Sequence, residues 1–153
     1  MSSRITEAER HAFNFIPIDL RVTNAFQILR DALGKPIYVT SSFRSKAWEH
    51  KKGRSGDSKH TEGLALDLQG DGLVPLLRNA IETKNKLFHK LRDSGVNAFG
   101  IYEQKNFIHI DVRKAKSNGD FYYWNGYEEG NTKKNDSSQM LIILATFVFF
   151  FRK

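Results

Sequence analysis

Two short stretches of this chain alternate apolar and polar side chains so strictly that their geometry is nearly dictated. Phe107-Ile108-His109-Ile110-Asp111-Val112-Arg113 puts Ile108, Ile110 and Val112 on one side of an extended strand and His109, Asp111 and Arg113 on the other. Leu64-Ala65-Leu66-Asp67-Leu68 repeats the device, with three leucines opposite Asp67 and the small Ala65. Such segments are half-buried strands, so the chain needs a sheet with an apolar layer against one face. Taken alone, the polar row of His109 and Asp111 reads equally well as a solvated outer face. Asp67, set in an apolar run, needs a partner, and a salt bridge to one of the many Lys or Arg residues would serve.

The remaining pattern supplies that layer. From Asp19 to Leu33, Leu20, Val22, Ala25, Phe26, Leu29 and Leu33 recur at helical spacing, and Gly34 followed by Pro36 supplies a stop. Ile37 to Phe43 is β-branched and aromatic, which predicts a strand. Arg44 to Lys59 is polar, carries Gly53 and Gly56, and reads as a long surface loop, a place where function is often found. Val74 to Leu91 reads as one amphipathic helix ending near Gly95, with Pro75 in its first turn. Phe99 to Tyr102 and Asn106 to Val112 read as strands joined by the tight polar turn Glu103-Gln104-Lys105. The order predicts an α+β domain, a small mainly antiparallel sheet flanked by helices. Tyr122, Tyr123 and Trp124 are expected to cover the edge of the core rather than to bind sugar.

The sequence of 153 residues has room for one such domain. Its expected extent is 1–127, followed by a polar linker over 128–139 and a short apolar tail over 140–153. The run from Met140 to Phe151 would span only ~18 Å as a helix, against about 30 Å of hydrocarbon, too short for an ordinary span; partial insertion at a membrane, a β-strand packed on the domain and a sequence artefact are the readings left open. The N-terminus has no apolar segment of the kind that a secretory signal requires. No phosphate-binding glycine loop and no Gly-x-Ser-x-Gly elbow is present. The net charge of +7 favours an anionic partner, yet no nucleic-acid-binding motif accompanies it, and none is expected to bind. With no cysteine, any metal must be held by His, Asp or Glu.

Seven residues before Asp67 stands His60, and Gly63 between them lets the chain turn so that both side chains converge. With His109 they offer two imidazoles and one carboxylate, which leaves a fourth tetrahedral position open, the arrangement of a catalytic zinc. A water-activating base and a cation for developing charge are needed as well, and Asp111 and Arg44 are in suitable places. His11, His50 and His89 read as surface or packing residues, and Glu62, although close to His60, has no defined direction.

The string Ser58-Lys59-His60-Thr61-Glu62-Gly63-Leu64-Ala65-Leu66-Asp67 fits the pattern Ser-x-His-x-x-Gly-x-Ala-x-Asp at every fixed position. It resembles the zinc D-alanyl-D-alanine carboxypeptidases and L-alanyl-D-glutamate endopeptidases, which are grouped with lysostaphin and the sonic hedgehog domain. Val39-Thr40-Ser41-Ser42-Phe43-Arg44-Ser45 is similar to the family's Thr-Ser-Gly-Tyr-Arg-Ser, and the strand ending in His109 to its closing histidine strand. The resemblance implies a hedgehog/DD-peptidase-like fold, one zinc ion on His60, Asp67 and His109, a substrate carboxylate or carbonyl oxygen on Arg44, and a supporting role for Ser58. Many members carry a carboxylate base three residues before the last histidine, where this chain has Asn106. Either Asp111, as base or as a support for a ligand, or Glu103 in the preceding turn then stands in for it, or catalysis is impaired.

The function expected is that of a zinc metallopeptidase cutting the peptidoglycan stem peptide, as carboxypeptidase or endopeptidase, in an endolysin-like setting. That means a monomer held in the cytoplasm until released to the wall, or tethered to a membrane through its tail. Asn106 motivates an alternative, a zinc-containing module that binds the wall without cutting it.

Overall fold

The computed structural model describes residues 18–126, and the structural statements below concern those residues. Helix α1 (Leu20–Leu33) starts where the Asp19 carboxylate accepts from the Arg21 backbone N–H, and stops at Gly34, whose φ of 65° sends its N–H back to the Arg30 carbonyl. Val22, Ala25 and Leu29 form its buried stripe. Leu20, counted into that stripe from the sequence, is 77% exposed, because it lies about 200° round the helix from Val22.

Strand β1 (Tyr38–Ser41) is shorter than the expected Ile37 to Phe43. The expected loop then contains a helix, α2 (Lys46–Lys51), capped by Ser45 Oγ accepting from the Trp48 N–H. A polar composition hid it; the Ser cap was the available signal. A 3-10 turn (Lys59–Glu62) ends at Gly63 with φ 71°, and strand β2 (Ala65–Gln69) follows.

The second long helix is in fact two, α3 (Leu73–Thr83) and α4 (Lys86–Asp93). Lys84 takes a φ of 48°, and the Asn85 side chain accepts from the N–H groups of Leu87 and Phe88, beginning a new helix where apolar periodicity alone predicted continuity. The break turns Phe88 into a cluster with Phe99 and Phe121. Strands β3 (Ala98–Tyr102) and β4 (Phe107–Asp111) form the expected hairpin around a short 3-10 turn (Glu103–Lys105), with Asn106 at φ 49°.

A fifth strand, β5 (Tyr122–Asn125), was not foreseen; it runs parallel to β3. The sheet order is β1-β2-β4-β3-β5, antiparallel except for that last pair. Side chains from α1, α3 and α4 pack with Leu66, Leu68, Phe99, Ile101, Ile108 and Ile110 in a single core, so the helices cover one face. This is the α+β architecture expected from the pattern. The other face carries a row set by register: Ser41 opposite Asp67, Asp67 opposite His109, His109 opposite Gly100, Gly100 opposite Trp124.

Residues 1–17, with His11, and residues 127–153, with the linker and the apolar run, lie outside the described part. Within that part, no helix is long and apolar enough to cross a membrane. Replacing the cap between α3 and α4, Asn85→Ala, should cost about 1 kcal/mol in urea unfolding. A neutral result would mean that the two helices are not separately capped.

Candidate metal centre

The row Asp67–His109 lies at the floor of a cleft of about 380 Å³. His60 reaches it from the 3-10 turn because Gly63 reverses the chain before β2. His60 Nε2 and His109 Nδ1 are 3.2 Å apart, and Asp67 Oδ1 is 3.2 Å from the first and 2.8 Å from the second. All three side chains are buried. A tetrahedral zinc with ligands at about 2.0–2.1 Å sets its ligand atoms about 3.3 Å apart, so the spacing fits one small ion.

The outer partners decide what those three atoms are. His60 Nδ1 donates to the Ser42 carbonyl at 2.6 Å, and His109 Nε2 donates to Asp111 Oδ2 at 3.0 Å. Each neutral imidazole then turns its lone pair inward, towards the Asp67 carboxylate. Three acceptors facing one another need positive charge between them, from a metal ion or from protons. In the protein alone the titration reflects that demand. Burial would raise the Asp67 carboxyl, but the charge of His60 and hydrogen bonds from both imidazoles hold it well below the usual carboxylate range. Burial likewise opposes charge on His109, yet hydrogen bonds to Asp111 and Asp67 push its pKa up.

Asp111 has no exposed surface. Its oxygens meet His109 Nε2 and the Arg113 guanidinium, with Arg113 Nε 2.8 Å from Oδ1. These bonds overcome burial and bring its pKa down to about 2. Such a carboxylate orients the His109 ring and fixes its tautomer; it is placed behind the imidazole, not among the cleft-lining side chains. Of the two roles foreseen for it, support of a ligand is the one that its contacts serve.

The other expected residues separate. Arg44 lines the cleft, its Nη1 3.5 Å from Asp67 Oδ2. Ser58 lines it too, with a buried hydroxyl that has no partner, while its carbonyl holds Thr61. Glu103 does not reach in: it pairs with Arg78 at 3.0 Å and is 73% exposed. Asn106 is exposed and outside the cleft lining. Glu62 is tied to Lys59, His50 to the Ser55 carbonyl, and His89 sits against Phe88 on α4.

Several cleft residues were missed. Glu49, inside the unforeseen α2, is buried beside Arg44. Trp124, expected first to cover the core edge, lines the cleft, 5.3 Å between ring centres from His109. Its indole lies over Gly100, where a Cβ would fall 2.7 Å from the ring, and Nε1 donates to the Tyr102 hydroxyl. The only signal was a glycine inside a strand.

A family model described as Peptidase M15 matches residues 2–111, well over half of the chain. No curated protein and no solved structure matches it. The chain therefore belongs to the peptidase M15 family, the zinc D-alanyl-D-alanine carboxypeptidase family that its motifs resemble.

If the three acceptors hold zinc, calorimetry should show one ion bound per chain, lost in His60→Ala, Asp67→Ala and His109→Ala. Asp111→Asn should bind about 10–100-fold more weakly; unchanged affinity in that variant would remove its positioning role.

Proposed function

We propose, from membership of the peptidase M15 family, that this chain uses His60, Asp67 and His109 to hold one zinc ion and hydrolyses a peptide bond in the peptidoglycan stem. The observation that carries the reading is the set of three inward-facing acceptors on the floor of a cleft rimmed by Arg44, Arg54, Lys59, Lys105 and Arg113. Bound zinc supplies a Lewis acid for the carbonyl under attack and lowers the pKa of water.

The chain's own groups do the rest. Arg44 offers a guanidinium beside the metal ligands to a substrate carboxylate or carbonyl oxygen. The cationic rim draws in an anionic wall polymer. Trp124, Tyr102 and Phe107 form an apolar wall; Tyr102 and Phe107 stack with ring centres 4.2 Å apart. Among the described residues, the carboxylates lining the cleft are Asp67, Glu49 and Asp57. Asp67 is committed to the two histidines and Glu49 to arginine, which leaves the exposed Asp57 to take the proton from the attacking water.

The endolysin-like setting fits a cleft-bearing domain of this kind, with the chain a monomer that meets the wall after release from the cytoplasm; contact of residues 140–151 with a membrane would add a tether. Asn106, standing where many relatives of the motif carry a carboxylate, favours a second reading in which the domain binds the wall and does not cut.

Incubation with purified sacculi separates these readings. The peptidase releases new amino termini, loses that activity in chelator and regains it with zinc, and the masses of the fragments identify the bond. Sedimentation with the wall and no released termini would establish the binder. In the peptidase, Asp57→Asn should lower kcat by about 10²–10⁴-fold with zinc content unchanged; wild-type turnover would exclude Asp57 as the base.

A further inference from the structure

Arg44 stands between two carboxylates. Its Nε is 2.5 Å from Glu49 Oε1, in contact but outside hydrogen-bond angles, and its Nη1 is 3.5 Å from Asp67 Oδ2. The nearer acid is almost wholly enclosed, at 1% exposure, with the arginine at 12%. Burying a carboxylate is costly without a cation against it, and Glu49 comes from a helix of only six residues whose start is fixed by the Ser45 cap.

That helix also brings a second arginine and an aromatic face to the same place. Arg54 Nη1 is 3.6 Å from Glu49 Oε1, and its backbone N–H donates to the Glu49 carbonyl at 3.0 Å. The Trp48 ring lies 5.7 Å from the Arg44 guanidinium and 5.4 Å from that of Arg54. Helix α2 therefore meets Arg44 at Nε through Glu49, while Asp67 is met at Nη1.

We propose that Glu49 is a positioning residue for the metal centre: it holds the Arg44 guanidinium off Asp67, so that the Asp67 carboxylate stays free to ligate. The proposal rests on the assignment of His60, Asp67 and His109 to a metal, and not on the peptidase reaction. A guanidinium next to a carboxylate closes into a two-point ion pair when nothing opposes it. Arg44 Nη1 donates one long hydrogen bond to Asp67 Oδ2 at 3.5 Å and another to Ser41 Oγ at 3.4 Å, and the pair with Asp67 has not closed into two points. Remove the charge of Glu49 and the nearest full carboxylate for Arg44 is Asp67, in surroundings where charges interact strongly. A two-point pair would take in Oδ1, the oxygen that faces His60 and His109, so arginine and metal ion would then compete for it.

The test is zinc affinity, measured by competition with a chromogenic chelator, for the unaltered protein, Glu49→Gln, Arg44→Gln and the double variant. Glu49→Gln should bind zinc about 10–100-fold more weakly. In the Arg44→Gln background the same Glu49→Gln change should have no effect, because the competing cation is gone. Thermal unfolding checks that each variant is folded; should Glu49→Gln not fold, the comparison of Arg44→Gln with the double variant decides. An affinity loss of the same size in both backgrounds would show that Glu49 acts through packing and would overturn the proposal. So would unchanged affinity in Glu49→Gln. Failure of the unaltered protein to bind zinc would instead overturn the metal centre, and this inference with it.

Discussion

Asp67 and His109 face each other because β2 and β4 pair in the one register that buries Leu66 and Leu68 beside Ile108 and Ile110. A slip of β2 by a single residue would turn Leu66 and Leu68 into the cleft and push the Asp67 carboxylate into the core. The burial that stabilises the sheet therefore also aligns the candidate ligands. His60 completes the group from outside the sheet, through a turn that Gly63 makes possible.

Each inward-facing acceptor is held from behind. The Ser42 carbonyl takes the outer proton of His60, and Asp111 that of His109, with Arg113 balancing the charge of Asp111. At Asp67 the neighbour is Arg44, which touches Glu49 through Nε and donates one long hydrogen bond from Nη1 to Asp67 Oδ2 at 3.5 Å. These supports come from β1's end, from α2 and from the end of β4, so the centre ties together segments that the sheet alone would leave independent. In a buried site such networks are effective only when every member has its partner, which makes the partnerless Ser58 hydroxyl at the cleft wall notable.

The wall opposite Arg44 depends on a small residue. Gly100 sits opposite His109 on one side and Trp124 on the other, and the indole occupies the space that a side chain at Gly100 would need. The parallel strand β5 thus brings an aromatic surface up to the candidate metal ligands, and Arg113 stacks over Tyr122 and Trp124 while it holds Asp111. Cations and aromatic rings thus line the same cleft.

The alternating segments, read alone, determined the two central strands, the face each side chain takes and the mainly antiparallel sheet, because a period of two has one structural meaning when one face must be buried. The motif around His60 and Asp67 carried the family. Beyond this, local pattern was insufficient. The cap at Asn85 split a helix whose periodicity was continuous, and the cap at Ser45 made a helix in a polar stretch, since a few side-chain-to-backbone bonds can outweigh composition. Only the tertiary structure decided that Glu103 turns out to Arg78, that Asp111 stands behind His109, and that Glu49 and Trp124 enter the cleft. Those outcomes depend on which strands and helices become neighbours, and contacts between residues distant in sequence leave no period along the chain.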